Sequence, residues 1–151
     1  MPIKPENKSL YPPDWPFVRK RILERDKHKC VGCGLRDYSV GYRDEKGAFI
    51  PCGGNVVMED YGQGINPTTG RLLTFKEALE MATFQTDTDE MGSKYIVIVL
   101  TIAHLDHTPE NCADDNLASF CQRCHNIYDR PHRNETMRVT RKKGQLEIQF
   151  I

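Results

Sequence analysis

A chain of 151 residues has room for one domain with a modest core. With 28% charged and 38% hydrophobic residues it reads as an ordinary globular protein, which excludes disordered, collagen-like and membrane-spanning classes. The net charge of zero hides a division along the chain. Lys and Arg outnumber acids six to two from Phe17 to Lys29 and seven to two from Leu117 to Lys143, whereas acids lead seven to two from Val57 to Gly92.

Residues 1–13 are polar and proline-rich, and the expectation is an extended arm. In DWPFVRKRILERDK (14–27) a proline follows Asp14 closely, and Val18, Ile22 and Leu23 recur at helical spacing. That predicts a helix capped by Asp14, with Trp15 and Phe17 packing at its start. CVGCG follows, its glycines permitting the tight turn of a zinc knuckle. Short β-like runs within residues 34–57 flank DEKG and predict a hairpin. GQGINPTTG (62–70) lacks the strand-then-helix setting of a nucleotide loop and reads as a connector. Thr74 and Glu77 form a T-x-x-E capping box before a helix over about 75–84. TDTDEMG (86–92) is an acidic loop, and the apolar run YIVIVLTIA (95–103) predicts one buried strand over 95–105. A polar loop (106–115), the short run NLASF and a helix starting near Cys121 come next. Pro131 is expected to interrupt that helix, and MRVTRKKGQLEIQFI (137–151) to close the chain as a β-hairpin turned at KKGQ.

Six cysteines are present, and four fall in two C-x-x-C pairs, Cys30/Cys33 and Cys121/Cys124. One such pair supplies two metal ligands from a single turn, and two pairs complete a closed tetrahedral zinc site. With no signal peptide in MPIKPENKSLYPPDW, zinc is favoured over disulfides, and the expected setting is cytoplasmic and reducing. Cys52 and Cys112 have no spaced partner and read as ordinary thiols. A four-thiolate site has no vacancy for water, so His125, directly behind the second pair, is free for another task. Both basic stretches adjoin a cysteine pair, so zinc would gather Arg19, Arg123, Arg130 and Arg133 on one face suited to a phosphate-bearing partner. On charge alone, two solvated faces explain the same pattern.

AHLDH (103–107), NCADDNL (111–117) and CQRCH (121–125) place histidine, asparagine and histidine in order around the second cysteine pair. The run AHLDHTPENCADDNLASFCQRCHNIYD resembles the HNH endonucleases, with their ββα-metal motif flanked by zinc-binding C-x-x-C pairs. The likeness is close over Leu100–Arg133 and loose over Trp15–Cys33, and the form is one seen in phage and bacterial proteins. It implies an α+β fold: one small zinc-stabilised ββα-metal (HNH) domain over 14–151, after the arm at 1–13. A hairpin and helix would be inserted at about 34–94, between the two zinc half-sites.

The resemblance implies His104 as general base, Asn116 as a support of the active site, often through the metal, and His125 as a metal ligand. The position before the base, where many members carry a metal-binding aspartate or histidine, is Ala103. Asp106, two residues along the strand from His104, is the substitute ligand, with His107 the other candidate. On the helix, His125, Tyr128, Asp129 and His132 share one face, with Asp129 a residue to orient a histidine ring. The implied activity is hydrolysis of DNA phosphodiesters with a divalent cation (Mg2+, Mn2+ or Zn2+), leaving 5′-phosphate and 3′-hydroxyl ends. The rivals are a zinc-ribbon nucleic-acid-binding module with a degenerate nuclease site, and a purely structural zinc protein. Target sequence, nicking or double-strand cleavage, oligomeric state and the role of the acidic insert (57–92) are not legible in one sequence.

Overall fold

The computed structural model describes residues 5–52, 63–66, 68–88 and 95–148. The element order is α1 (Trp15–Arg25), β1 (Val40–Arg43), β2 (Phe49–Pro51), α2 (Phe75–Thr88), β3 (Ile96–Val97), β4 (Leu100–His104), β5 (Leu117–Cys121) and α3 (Gln122–Ile148). The fold is α+β, with a three-stranded sheet in the order β2-β1-β3 and a separate antiparallel ribbon of β4 and β5. No helix among the described residues is long and apolar enough to cross a membrane.

Helix α1 forms where the spacing predicts it and buries Val18, Ile22 and Leu23. Its cap departs from expectation: Asp14 makes no side-chain cap bond, and its backbone carbonyl instead takes the Phe17 amide at 2.8 Å. Phe17 is 75% exposed and packs nothing, since the apolar stripe of α1 runs through Val18 and Ile22 and leaves position 17 outside. Trp15 does pack, against the cluster of Val18, Ile22 and Leu117. The arm is likewise not simply extended. Pro5–Leu10 is a 3-10 helix, and Tyr11 lies edge-on to Trp15 at 4.8 Å.

Asp26 ends α1 and ties it to the ribbon. Its carboxylate accepts the Ser119 amide at 3.0 Å and Arg25 Nε at 2.8 Å. Burial alone would raise this carboxyl, but the bonds from Arg25 and Ser119 outweigh it and hold the group below its usual range. A folded-state value below the unfolded one means the contribution is full above about pH 4 and is lost as pH falls through the folded value. Asp26→Ala is therefore expected to cost about 1.5–3 kcal/mol near neutral pH and far less in acid, measured by urea unfolding at several pH values.

The hairpin around DEKG is present: β1 pairs with β2 (Tyr42↔Ile50), and Asp44 Oδ1 accepts the Ala48 amide at 2.7 Å across the turn. Gly41 is required there, because a Cβ would sit 2.1 Å from the Ile50 carbonyl oxygen. The capping box also forms, with Glu77 accepting from the Thr74 amide at 2.6 Å and Thr74 Oγ1 from the Glu77 amide at 3.3 Å. Helix α2 runs past 84 to Thr88, so the first residues assigned to an acidic loop are helical. The remainder, 89–92, lies outside the described residues, as do 53–62 of the insert. Ala78 and Ala82 of α2 pack with Val40, Cys52 and Leu73 over the three-stranded sheet.

The single strand expected over 95–105 is two strands in two sheets. β3 joins β1 (Val40↔Val97), whereas β4 pairs with β5 (Ala103↔Ala118). The break falls at Ile98 and Val99 because buried Asp37, reaching across from the insert, takes the Leu100 amide at 2.8 Å. That bond replaces a ladder partner and lets the chain change sheets.

The C-terminal hairpin is the largest correction. Residues 122–148 form one helix that continues through Pro131 and Gly144. The alternation in MRVT would bury one strand face, but every residue from Arg130 to Lys142 is exposed, so among the described residues no sheet holds that face; the end of the expected hairpin, 149–151, lies outside them. Thr136 and Thr140 return their hydroxyls to the carbonyls four residues back, at 2.9 Å each, as helical threonines do.

Candidate metal centres

The two cysteine pairs meet. The Sγ atoms of Cys30, Cys33, Cys121 and Cys124 all lie within 4.8 Å of one another. A tetrahedron with zinc–sulfur arms of about 2.3 Å has edges of about 3.8 Å. The Cys33–Cys121 separation of 3.7 Å matches that edge. The Cys121 amide donates to Cys30 Sγ at 3.2 Å, and a Cβ on Gly32 would press Cys124 Sγ at 3.1 Å, so the knuckle is tight against the second pair. Without metal the cluster shares its protons unequally. The hydrogen bond with Cys30 leads in pulling Cys121 down to about 4, while burial leads in pushing Cys124 up to about 12. Four thiolates at this spacing repel one another, and a divalent cation removes that repulsion. The donor set fits zinc, and these four residues would hold it.

The cross-strand pairs of the ribbon decide which side chains share a face. Thr101 pairs with Phe120 and Ala103 with Ala118; on the other face Ile102 pairs with Ser119 and His104 with Leu117. The Thr101 face packs on α3, where Phe120 stacks on Tyr128 at 5.5 Å and Thr101 Oγ1 lies 2.7 Å from His125 Nδ1. The His104 face packs on α1, where the His104 ring stacks on Trp15 at 5.5 Å and 13°. His104 and His125 therefore lie on opposite faces. His104 is 8% exposed, held between Trp15 and Tyr11, with Nε2 3.5 Å from Cys112 Sγ. Burial keeps its imidazole below the usual range and hence neutral at pH 7. Of the two cysteines left outside the zinc pairs, Cys52 lies buried under α2 and Cys112 is half-buried beside His104.

His107 is the histidine that reaches the α3 face. It sits in the left-handed region (φ 58°), its amide bonded to the His104 carbonyl at 3.2 Å, so the turn 104–107 swings its ring across. Its Nδ1 stands 3.6 Å from Asp129 Oδ1, and its ring stacks on His132 at 4.2 Å. Asp129 Oδ2 lies 3.3 Å from His125 Nε2. One carboxylate is thus bracketed by two imidazoles, each ring itself held, His125 by Thr101 and His107 by His132 and Tyr128. Burial, more than the opposing pull of Asp129, keeps His125 below its usual value and so ready to bind a cation.

Asn116 and Asp106 are placed elsewhere. The Asn116 side chain accepts the Asp106 amide at 3.0 Å and donates to Asp106 Oδ1 and the Asn111 carbonyl at 2.9 and 2.8 Å. Asp106 also takes Asn111 Nδ2 and the Thr108 amide, and these donors hold its carboxyl at about 2. Both residues brace the loop 105–116 that presents His107. Of the four arginines singled out, Arg19 turns inward and donates to the Leu100 carbonyl at 3.1 Å. Arg123, Arg130 and Arg133 are exposed on α3.

Asp106–His107 is the one sequence signal that marked the additional histidine, as an aspartate-histidine dipeptide three residues after His104. Thr101 carried no signal, because its contact with His125 depends on strand parity. No protein-family model, no curated protein and no solved structure matches this chain.

Proposed function

We propose that the protein is a metal-dependent DNA endonuclease of the HNH type, with its chemistry at His107, His125, Asp129 and His132. The observation that carries this reading is the pair of imidazoles bracketing Asp129 on a strand–strand–helix unit clasped by four cysteines. It moves the general base from His104 to His107. His107 follows an aspartate as the base of the resemblance does, but Asp106 is engaged by Asn111 and Asn116, so Asp129 would take the ligand role given there to the preceding residue.

His125 and Asp129 would hold a divalent cation, which supplies charge stabilisation to a phosphodiester under attack. The Asp129 carboxylate suits Mg2+ or Mn2+, and the His125 imidazole admits Zn2+ as well. Asp129 faces His107 Nδ1, which fixes that ring and leaves Nε2 to take the proton of the attacking water. Thr101 orients the His125 ring through Nδ1 and leaves Nε2 toward Asp129. Arg123 and its neighbours on α3 supply charge for the DNA backbone. Reduced thiolates at the four-cysteine centre suit a cytoplasmic, reducing compartment.

A nucleic-acid-binding zinc module is the alternative reading, and one observation favours it. Among the described residues, only the four cysteines form a group of three or more ligand atoms mutually within 4.8 Å. Incubation of supercoiled plasmid with the zinc-loaded protein separates the two. Nicking that requires added Mg2+ or Mn2+ is expected. Retention of plasmid without nicking under any divalent cation would leave the binding module as the function.

A further inference from the structure

Beyond Asp129, helix α3 leaves the body of the protein. Every residue from Arg130 to Lys142 is exposed, and this stretch carries Arg130, Arg133, Arg138, Arg141 and Lys142 against Glu135 alone. Two of the cations align. Arg130, Asn134, Met137 and Arg141 recur at helical spacing on one face, and Arg123 stands seven residues before Arg130 on the same face. Asn134, Met137, Arg138, Arg141 and Lys142 line a shallow concavity of about 440 Å3. Arg138 meets Glu135 only at 3.9 Å, with both side chains about two-thirds exposed (69% and 67%), so its charge is open to a partner.

Past His132, whose ring stacks on His107, α3 is exposed as far as Lys142 and lacks the tertiary packing from which helices in proteins draw most of their stability. An apolar partner does not fit, since Met137 and Val139 are isolated among charges. Another copy of the same arm would bring like charges together. A phosphodiester backbone is the complementary surface. From Arg130 to Lys142 the helix advances about 18 Å, the rise of about five base pairs.

We propose that residues 130–142 form a DNA arm, with Arg130, Arg138, Arg141 and Lys142 set against the phosphates of a duplex outside the cleavage site. The choice of DNA rests on the nuclease reading; the attraction to a phosphate backbone does not. Arg130 and Arg141 stand, by helical spacing, on the side of α3 opposite His125 and His132, so these cations lengthen the footprint without entering the chemistry.

The test uses the full-length, zinc-loaded chain without added Mg2+ or Mn2+, bound to fluorescent duplexes of about 12 and about 30 base pairs over a salt series. The combined variant Arg138→Ala, Arg141→Ala, Lys142→Ala is expected to bind the longer duplex more weakly, and its slope of log K against log salt should be shallower by about 2 to 3. Lysines in place of both arginines should keep the wild-type slope. Circular dichroism and zinc content establish that each variant is folded. An unchanged slope in a folded triple variant overturns the arm, even if the wild type nicks plasmid. A shallower slope in a protein that never nicks keeps the arm and removes the nuclease. A wild type that binds no duplex, or that dimerises through the arm, overturns the proposal.

Discussion

Cys121→Ser is expected to leave a chain that is unfolded or aggregated, and Cys33→Ser to do the same. Cys121 lies fully buried, where its sulfur meets Cys33 and its amide meets Cys30. Structural zinc held by such sites contributes about 10–16 kcal/mol of apparent binding free energy. That is as large as the whole net stability of an ordinary domain, about 5–15 kcal/mol. Elemental analysis of the wild type should give about one zinc per chain, consistent with one four-thiolate centre. Strong chelators should unfold the protein, and falling pH should release the metal as protons compete for sulfur. A cooperatively folded, metal-free preparation would remove the zinc clasp from the account.

The other large effect separates three histidines. His107→Ala should lower the cleavage rate by about 100-fold to 10,000-fold, the usual cost of a lost general base, with fold and zinc content intact. His125→Ala should also lose activity, but excess divalent cation should restore part of it, because a weakened cation site fills by mass action. His104→Ala should act on stability instead. It empties a slot between Tyr11 and Trp15 and unpins the arm, while each folded molecule cuts at the wild-type rate. The opposite pattern, with His104→Ala folded and inactive and His107→Ala active, would return the base to His104.

These histidines also mark where the sequence stops being informative. Local signals carried through: the spacing of Val18, Ile22 and Leu23, the Thr74–Glu77 box and the C-x-x-C pairs each depend on a few neighbouring residues. Which face His104 takes depends instead on where β4 ends and on what covers each side. The ladder stops at His104, so alternation no longer holds beyond it, and the turn to His107, itself in the left-handed region, carries that ring across. The run YIVIVLTIA is uniformly apolar and gives no sign that it serves two sheets; the break is imposed by Asp37, 63 residues upstream of Leu100. In MRVT strand-like alternation competed with a helical preference, and with no partner strand for it among the described residues the helix runs through.

The four-cysteine clasp joins Cys33 to Cys121 across 88 residues, and the intervening chain returns to the knuckle from which it left. Such a closed excursion obeys the arithmetic of loop entropy, in which each doubling of length costs only about 0.6 kcal/mol. Set against a metal bond of the size above, that penalty is small. Closure is therefore nearly indifferent to the length of the excursion, whereas Asp37, whose carboxylate holds the Leu100 amide, is a part of it that the ribbon needs. The turn at Thr68–Gly70, exposed throughout and with open space around Gly70, is the natural graft point for a foreign module.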